Sequence, residues 1–182
     1  LRSTERAKEV VAATDGNHGL ALAWEARRHG LACRIFVSDD LDAQRVARLR
    51  DQDAVIETVA GTYDDAVQAA IFYTQQTAER LHITDTDYDG GLPVTQAVMA
   101  GYCVMGREAA RQITRPITHI LLQCGVGGMS AGVLSGFSQV RDDFTGHVIV
   151  FEPKTAGCVY ESLKAGRPVA VDGDLKTRML GL

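Results

Sequence analysis

Short apolar runs, each followed by a longer stretch of helical period, recur along the chain, and this rhythm constrains the fold more than any other feature. The apolar runs lie at residues 9–13, 33–37, 54–59, 82–84, 118–123 and 147–151. Helical periodicity predicts helices over 18–29, 42–50, 63–81, 94–112 and 129–140, with a shorter one near 159–164. Strands joined through helices run parallel, because a hairpin has no room for the intervening helix. The expectation is an α/β fold in three layers, with mainly parallel sheets and helices on both faces. The continuous apolar run from Ile117 to Leu122 predicts strands buried on both sides. Punctuation agrees: Gly30 follows the first helix, Asp42 stands at an N-cap position, and Pro116 separates the long central helix from its strand.

Composition narrows the class. The chain has 182 residues, enough for one good core or two small ones, with 46% hydrophobic and 23% charged residues. The net charge of -4 and the scattering of arginines such as Arg45, Arg48 and Arg50, read as a solvated helix face, disfavour nucleic acid as a partner. No apolar run approaches the roughly 20 residues needed to cross a bilayer, and the opening residues are polar, so a soluble, cytoplasmic protein without a membrane partner is expected. Cys33, Cys103, Cys124 and Cys158 are widely spaced, with no His at ligand spacing, which predicts reduced, buried thiols and no metal site. The chain opens at Leu1 in mid-pattern and stops at Gly181-Leu182, and it is read as part of a longer protein. The stretch Gly90-Gly91-Leu92-Pro93 marks the expected junction, giving a domain over 1–88 and part of another over 89–182.

In a doubly wound sheet ligands gather at the carboxyl ends of strands, so the residues just after each apolar run carry the chemistry. Thr14-Asp15-Gly16-Asn17-His18-Gly19 follows the first strand and opens a helix. It reads either as a tight turn, since Asp-Gly and Asn favour turns, or as a ligand loop whose free amides meet an anion or a ring oxygen. The more specific signal is Cys124-Gly125-Val126-Gly127-Gly128-Met129-Ser130-Ala131-Gly132. Its glycines admit close approach, and their amides with the helix dipole make a phosphate cradle. Close packing of helix on strand is the alternative. Gly125-Val126-Gly127, followed by a helix, a strand and Glu152, also imitates a dinucleotide fingerprint, although Ser130 takes the place of its third glycine.

In this order and at this separation the two loops resemble those of fold-type II pyridoxal-phosphate (PLP) enzymes. Within that class the run Ala13–Gly19 is similar to the diaminopropionate ammonia-lyase family, as are Asp85-Thr86-Asp87-Tyr88-Asp89-Gly90, Met99-Ala100-Gly101-Tyr102, Gly125–Met129, Val150-Phe151-Glu152-Pro153 and Ala165-Gly166-Arg167. The resemblance spans nearly the whole chain. It implies PLP lying between two domains, the smaller carrying the Asn loop, and α,β-elimination of 2,3-diaminopropionate to pyruvate and ammonia, an amino-acid catabolic reaction. Carried over by position, Asp15 and Asp85 become the acid/base pair. Asn17 would meet the cofactor's ring oxygen, and Gly125, Val126, Gly127, Gly128 and Met129 would line its phosphate. A homodimer is common in the class. His18 receives no role.

Two departures matter. The family's Trp-Glu-Gly step reads Tyr88-Asp89-Gly90 here, which bears on the substrate pocket. The Schiff-base lysine belongs well upstream of the Asn loop, and none of Lys8, Lys154, Lys164 or Lys176 matches it. These 182 residues alone are therefore expected to show little or no elimination. A threonine or serine dehydratase, a nicotinamide-dependent oxidoreductase, and a catalytically silent fragment are the competing readings.

Overall fold

A computed structural model of the chain describes residues 7–14, 16–86, 92–171 and 177–178. It divides into two compact units, with the division between Thr84 and Asp85.

The first unit contains β1 (Glu9–Ala13), α1 (Asn17–Arg28), β2 (Ala32–Ser38), α2 (Ala43–Arg50), β3 (Val55–Val59), α3 (Tyr63–Gln75) and β4 (Arg80–His82). The strands form one sheet in the order β3-β2-β1-β4, and every pairing is parallel. Alternation along β1 explains the layers, since successive side chains of a strand point to opposite faces. Val10 and Ala12 join Ile35 and Val37 of β2 against Ala23 and Ala26 of α1 and Leu49 of α2. Val11 and Ala13 join Phe36 against Ala66, Val67 and Ala70 of α3. The sheet is thus covered on both faces, as expected. Full burial of side chains such as Ile35, Leu49, Val11 and Val37 contributes about 1.5–3 kcal/mol each.

Helix ends follow local chemistry. Asp42 Oδ1 accepts from the Gln44 and Arg45 amides at 2.8 and 3.3 Å, capping α2, and Gly30 takes the left-handed conformation after α1 with φ of 66°. Thr62 and Asp65 form a reciprocal capping box at the start of α3. Most ends fall within two residues of expectation; the larger difference is that α3 ends at Gln75 rather than at residue 81, with β4 starting at Arg80 rather than at 82. Arg80 is the reason. Its guanidinium donates to the Tyr73 carbonyl at 2.8 Å and to Gln76 Oε1 at 3.2 Å, closing the helix, while its backbone already pairs with Glu9 of β1.

The second unit contains α4 (Leu92–Gln112), β5 (His119–Gln123), α5 (Gly128–Ser138), β6 (His147–Phe151) and α6 (Cys158–Ala165). β5 and β6 pair in parallel, with Leu121 opposite Ile149. Helices α4 and α5 meet backbone to backbone: a Cβ on Gly106 would overlap the Val133 carbonyl, and one on Gly136 would overlap the Cys103 carbonyl. The expected burial of the run ending at Leu122 on both faces is not met. Leu121 is 58% and Phe151 50% exposed, and all five residues of β6 are exposed. Helices α4 and α5 pack on each other, and these residues by themselves leave faces of β5 and β6 uncovered. All four cysteines are free thiols; Cys33 and Cys124 are buried as expected, whereas Cys103 and Cys158 are only partly so. No helix among the described residues is long and apolar enough to cross a membrane.

Candidate functional site

The loop after β1 is organised by the buried Thr14. Its hydroxyl accepts from the Gly16 amide at 3.1 Å and the Gly19 amide at 3.3 Å. Gly19 is required by contact, since a Cβ there would overlap the Thr14 methyl group. Asn17 is the first residue of α1 and is exposed. His18 Nε2–H donates to the Ile83 carbonyl at 3.1 Å, tying α1 to the segment after β4. Asp15 lies outside the described residues, as do Asp87, Tyr88, Asp89 and Gly90 of the second family motif.

Strand order shows why this loop is where ligand chemistry is expected. From β1 the chain moves outward to β2 and β3, then returns to place β4 on the other side of β1. The reversal makes β1 and β4 the topological switch point, at whose carboxyl end open α/β sheets bind ligands. The Asn17 loop continues from β1, and Asp85 follows just beyond β4.

The second loop joins β5 to α5. Gly127, its N-cap residue, has φ of 95°, a left-handed conformation that favours glycine, and no side chain caps the helix among the described residues. The first intrahelical bond runs from the Ala131 amide to the Gly127 carbonyl at 2.9 Å. The amides of Gly128, Met129 and Ser130 therefore lack helical partners, at the end where the helix dipole favours an anion. The Ser130 hydroxyl instead donates back to the Gln123 carbonyl at 2.9 Å, holding the end of β5. Such a cradle fits a phosphate. Gly132, at the end of the glycine-rich run, serves packing: a Cβ there would lie 2.7 Å from Tyr102 Cβ. The run thus holds both an amide-presenting loop and a packing glycine, and the packing is helix on helix rather than helix on strand.

Asp85 lies beside this loop. A Cβ on Gly128 would stand 3.6 Å from the Asp85 carbonyl oxygen and 3.6 Å from Met99 Cγ. Thr86 Oγ1 donates to the Asp85 carboxylate at 3.3 Å. Burial pushes the Tyr102 phenol up, and the Asp85 charge adds to the shift. Met99 and Tyr102, noted in the sequence only as part of a motif, thus pack one turn apart against the start of α5.

The structure also gives Glu152, Cys158 and Val159 contacts that the sequence did not indicate. Both carboxylate oxygens of Glu152 accept amides at the start of α6, from Val159 at 2.8 Å and Tyr160 at 2.7 Å. The acid that a dinucleotide fingerprint would place on a ribose is here committed to capping a helix. Val159 Cγ2 lies 3.4 Å from the position a Gly127 Cβ would take. The Cys158 thiol donates to the Gly125 carbonyl at 3.1 Å. Cys158 and Val159 lie more than thirty residues from Gly125 and Gly127, so no periodic signal joins them along the chain.

The chain is similar to known proteins. Diaminopropionate ammonia-lyase of Escherichia coli strain K12 is 34% identical over 172 residues, covering 93% of this chain and 43% of that protein. A biosynthetic L-threonine dehydratase of Pasteurella multocida is 27% identical over 172 residues, covering 94% of this chain and 31% of its own length. The crystal structure of holo diaminopropionate ammonia-lyase from Escherichia coli superposes with a TM-score of 0.83 at 30% identity, covering 93% of this chain and 44% of that one. The chain thus spans less than half the length of these relatives. The family described as "Pyridoxal-phosphate dependent enzyme" matches residues 1–182. With a phosphate-fitting cradle at α5, parallel α/β architecture and a match along its full length, this chain belongs to the pyridoxal-phosphate dependent enzyme family.

Proposed function

We propose that the intact protein removes ammonia from 2,3-diaminopropionate by α,β-elimination, yielding pyruvate and ammonia. The observation that carries this reading is the placement of Asp85 against Gly128, which sets a carboxylate-bearing residue beside the amide-rich start of α5. The identity with diaminopropionate ammonia-lyase supports the diamine as substrate.

PLP, when bound, supplies an electron-withdrawing ring that makes the substrate's Cα proton removable. In this reading Gly125, Val126, Gly127, Gly128 and Met129 hold the phosphate, and Asn17 orients the ring through its oxygen. Asp15 and Asp85 divide the proton work: one carboxylate accepts the proton from Cα, and the other manages the proton at the departing β nitrogen. Negative charge at these positions also attracts the second ammonium of a diamine, which a hydroxy amino acid lacks. Residues 1–88 then form the smaller domain with the Asn loop, and residues 89–182 part of the larger. The protein acts in this reading as a cytoplasmic homodimer, the common arrangement of the class.

The likeness to a threonine dehydratase favours a second reading, elimination of water from threonine or serine. The test is to supply the intact protein and PLP with 2,3-diaminopropionate, L-serine or L-threonine, assaying pyruvate or 2-oxobutyrate together with ammonia. Faster turnover of the diamine supports the first reading. Preference for the hydroxy amino acids replaces it with the second, and turnover of none refutes both.

A further inference from the structure

The start of α6 bears on the phosphate loop at two points. Val159 packs beside the left-handed Gly127, and the Cys158 thiol donates to the Gly125 carbonyl at 3.1 Å. The helix end carrying both residues is held by Glu152 through the Val159 and Tyr160 amides. A thiol bond of this length is short for sulfur and fixes the direction of the carbonyl it meets. Carbonyl and following N–H of a trans peptide point in opposite directions, so drawing the Gly125 carbonyl toward α6 turns the Val126 N–H away from it.

We infer that Cys158 is a positioning residue for the phosphate loop, its thiol holding the Gly125–Val126 peptide so that the Val126 N–H faces the anion. The inference rests on the cofactor reading above and assigns this half-buried cysteine a task beyond it. Donation requires the protonated thiol, and the surroundings keep it so: burial pushes the Cys158 thiol up, with the Glu152 and Cys124 charges adding to the effect. The Cys124 thiol approaches the same carbonyl only at 3.7 Å, so Cys158 makes the closer bond.

The experiment titrates PLP by its visible absorbance into the intact protein, its Cys158→Ala variant and its Cys158→Ser variant. A parallel titration with inorganic phosphate, followed by the amide resonances of Val126 and Gly127, reads the loop without the rest of the cofactor. Cys158→Ala is expected to bind PLP and phosphate about tenfold more weakly, the loss of one hydrogen bond. Cys158→Ser, which restores a donor, should stay within about twofold of the wild type in both titrations. Unchanged binding by Cys158→Ala would overturn the inference, and so would equal weakening in both variants, which would assign the effect to the sulfur's packing. Wild-type protein that takes up neither PLP nor phosphate would bring down the cofactor reading, and this inference with it.

Discussion

A Cβ placed on Gly136 would overlap the carbonyl of Cys103, so α5 and α4 are in contact through their backbones at this point. Neither atom belongs to a flexible side chain, and an added methyl group can be accommodated only by moving a helix. Gly136→Ala should therefore destabilise the protein by about 3 kcal/mol. Equilibrium urea unfolding would show this as a lowered midpoint at unchanged slope, and an unshifted midpoint would contradict the close approach. Because α5 also carries at its start the loop proposed to hold the phosphate, the same variant should bind PLP more weakly.

Glu9 organises the amino-terminal edge of the first sheet. It accepts from Arg34 at 3.0 Å, Arg80 at 2.9 Å and the Tyr73 hydroxyl at 3.1 Å. Burial acts to raise its pKa, but these bonds outweigh burial and hold the carboxyl below the ordinary value of 4.5. A carboxyl depressed in the folded state adds stability above its unfolded pKa and loses it as pH falls through the folded pKa. Glu9→Gln should cost about 2 kcal/mol at pH 7. Urea unfolding repeated at decreasing pH should show wild type and variant converging below about pH 4. A constant gap across that range would refute the role.

In the intact protein Asp85→Asn removes a proton acceptor while keeping the size of the side chain. Turnover of 2,3-diaminopropionate should fall by about 10²–10⁴, with PLP absorbance on titration unchanged. Retention of wild-type turnover would remove Asp85 from the acid/base pair. Loss of cofactor uptake together with activity would instead make Asp85 a residue that shapes the phosphate loop it adjoins.

Cys33 sits inside the first sheet, 4% exposed. Burial, aided by the charge of Glu9, raises its thiol to about 12. Thiolate is the reactive form, so iodoacetamide at pH 8 should leave Cys33 unlabelled in the folded protein and modify it fully in urea. Peptide mass spectrometry reads both states directly. Labelling without denaturant would contradict its burial.

Much of the architecture was legible along the chain because it depends on near neighbours. Strand and helix alternation, the cap at Asp42, the turn at Gly30 and the glycines before α5 all express conformational preferences within a few residues. These features, with the family resemblance they support, point to a parallel α/β enzyme with a phosphate loop. Distant contacts were decided by tertiary structure. Arg80 shortened α3 because its guanidinium reached back to Tyr73 and Gln76 while its backbone joined β1. Leu121 and Phe151 stay exposed within these residues, since an apolar run does not encode which segments cover it. The switch point at β1 and β4 and the bond from Cys158 to Gly125 likewise join residues far apart in sequence. Periodicity reports which face of an element is apolar, whereas the partner of that face is chosen by the packing of the whole unit.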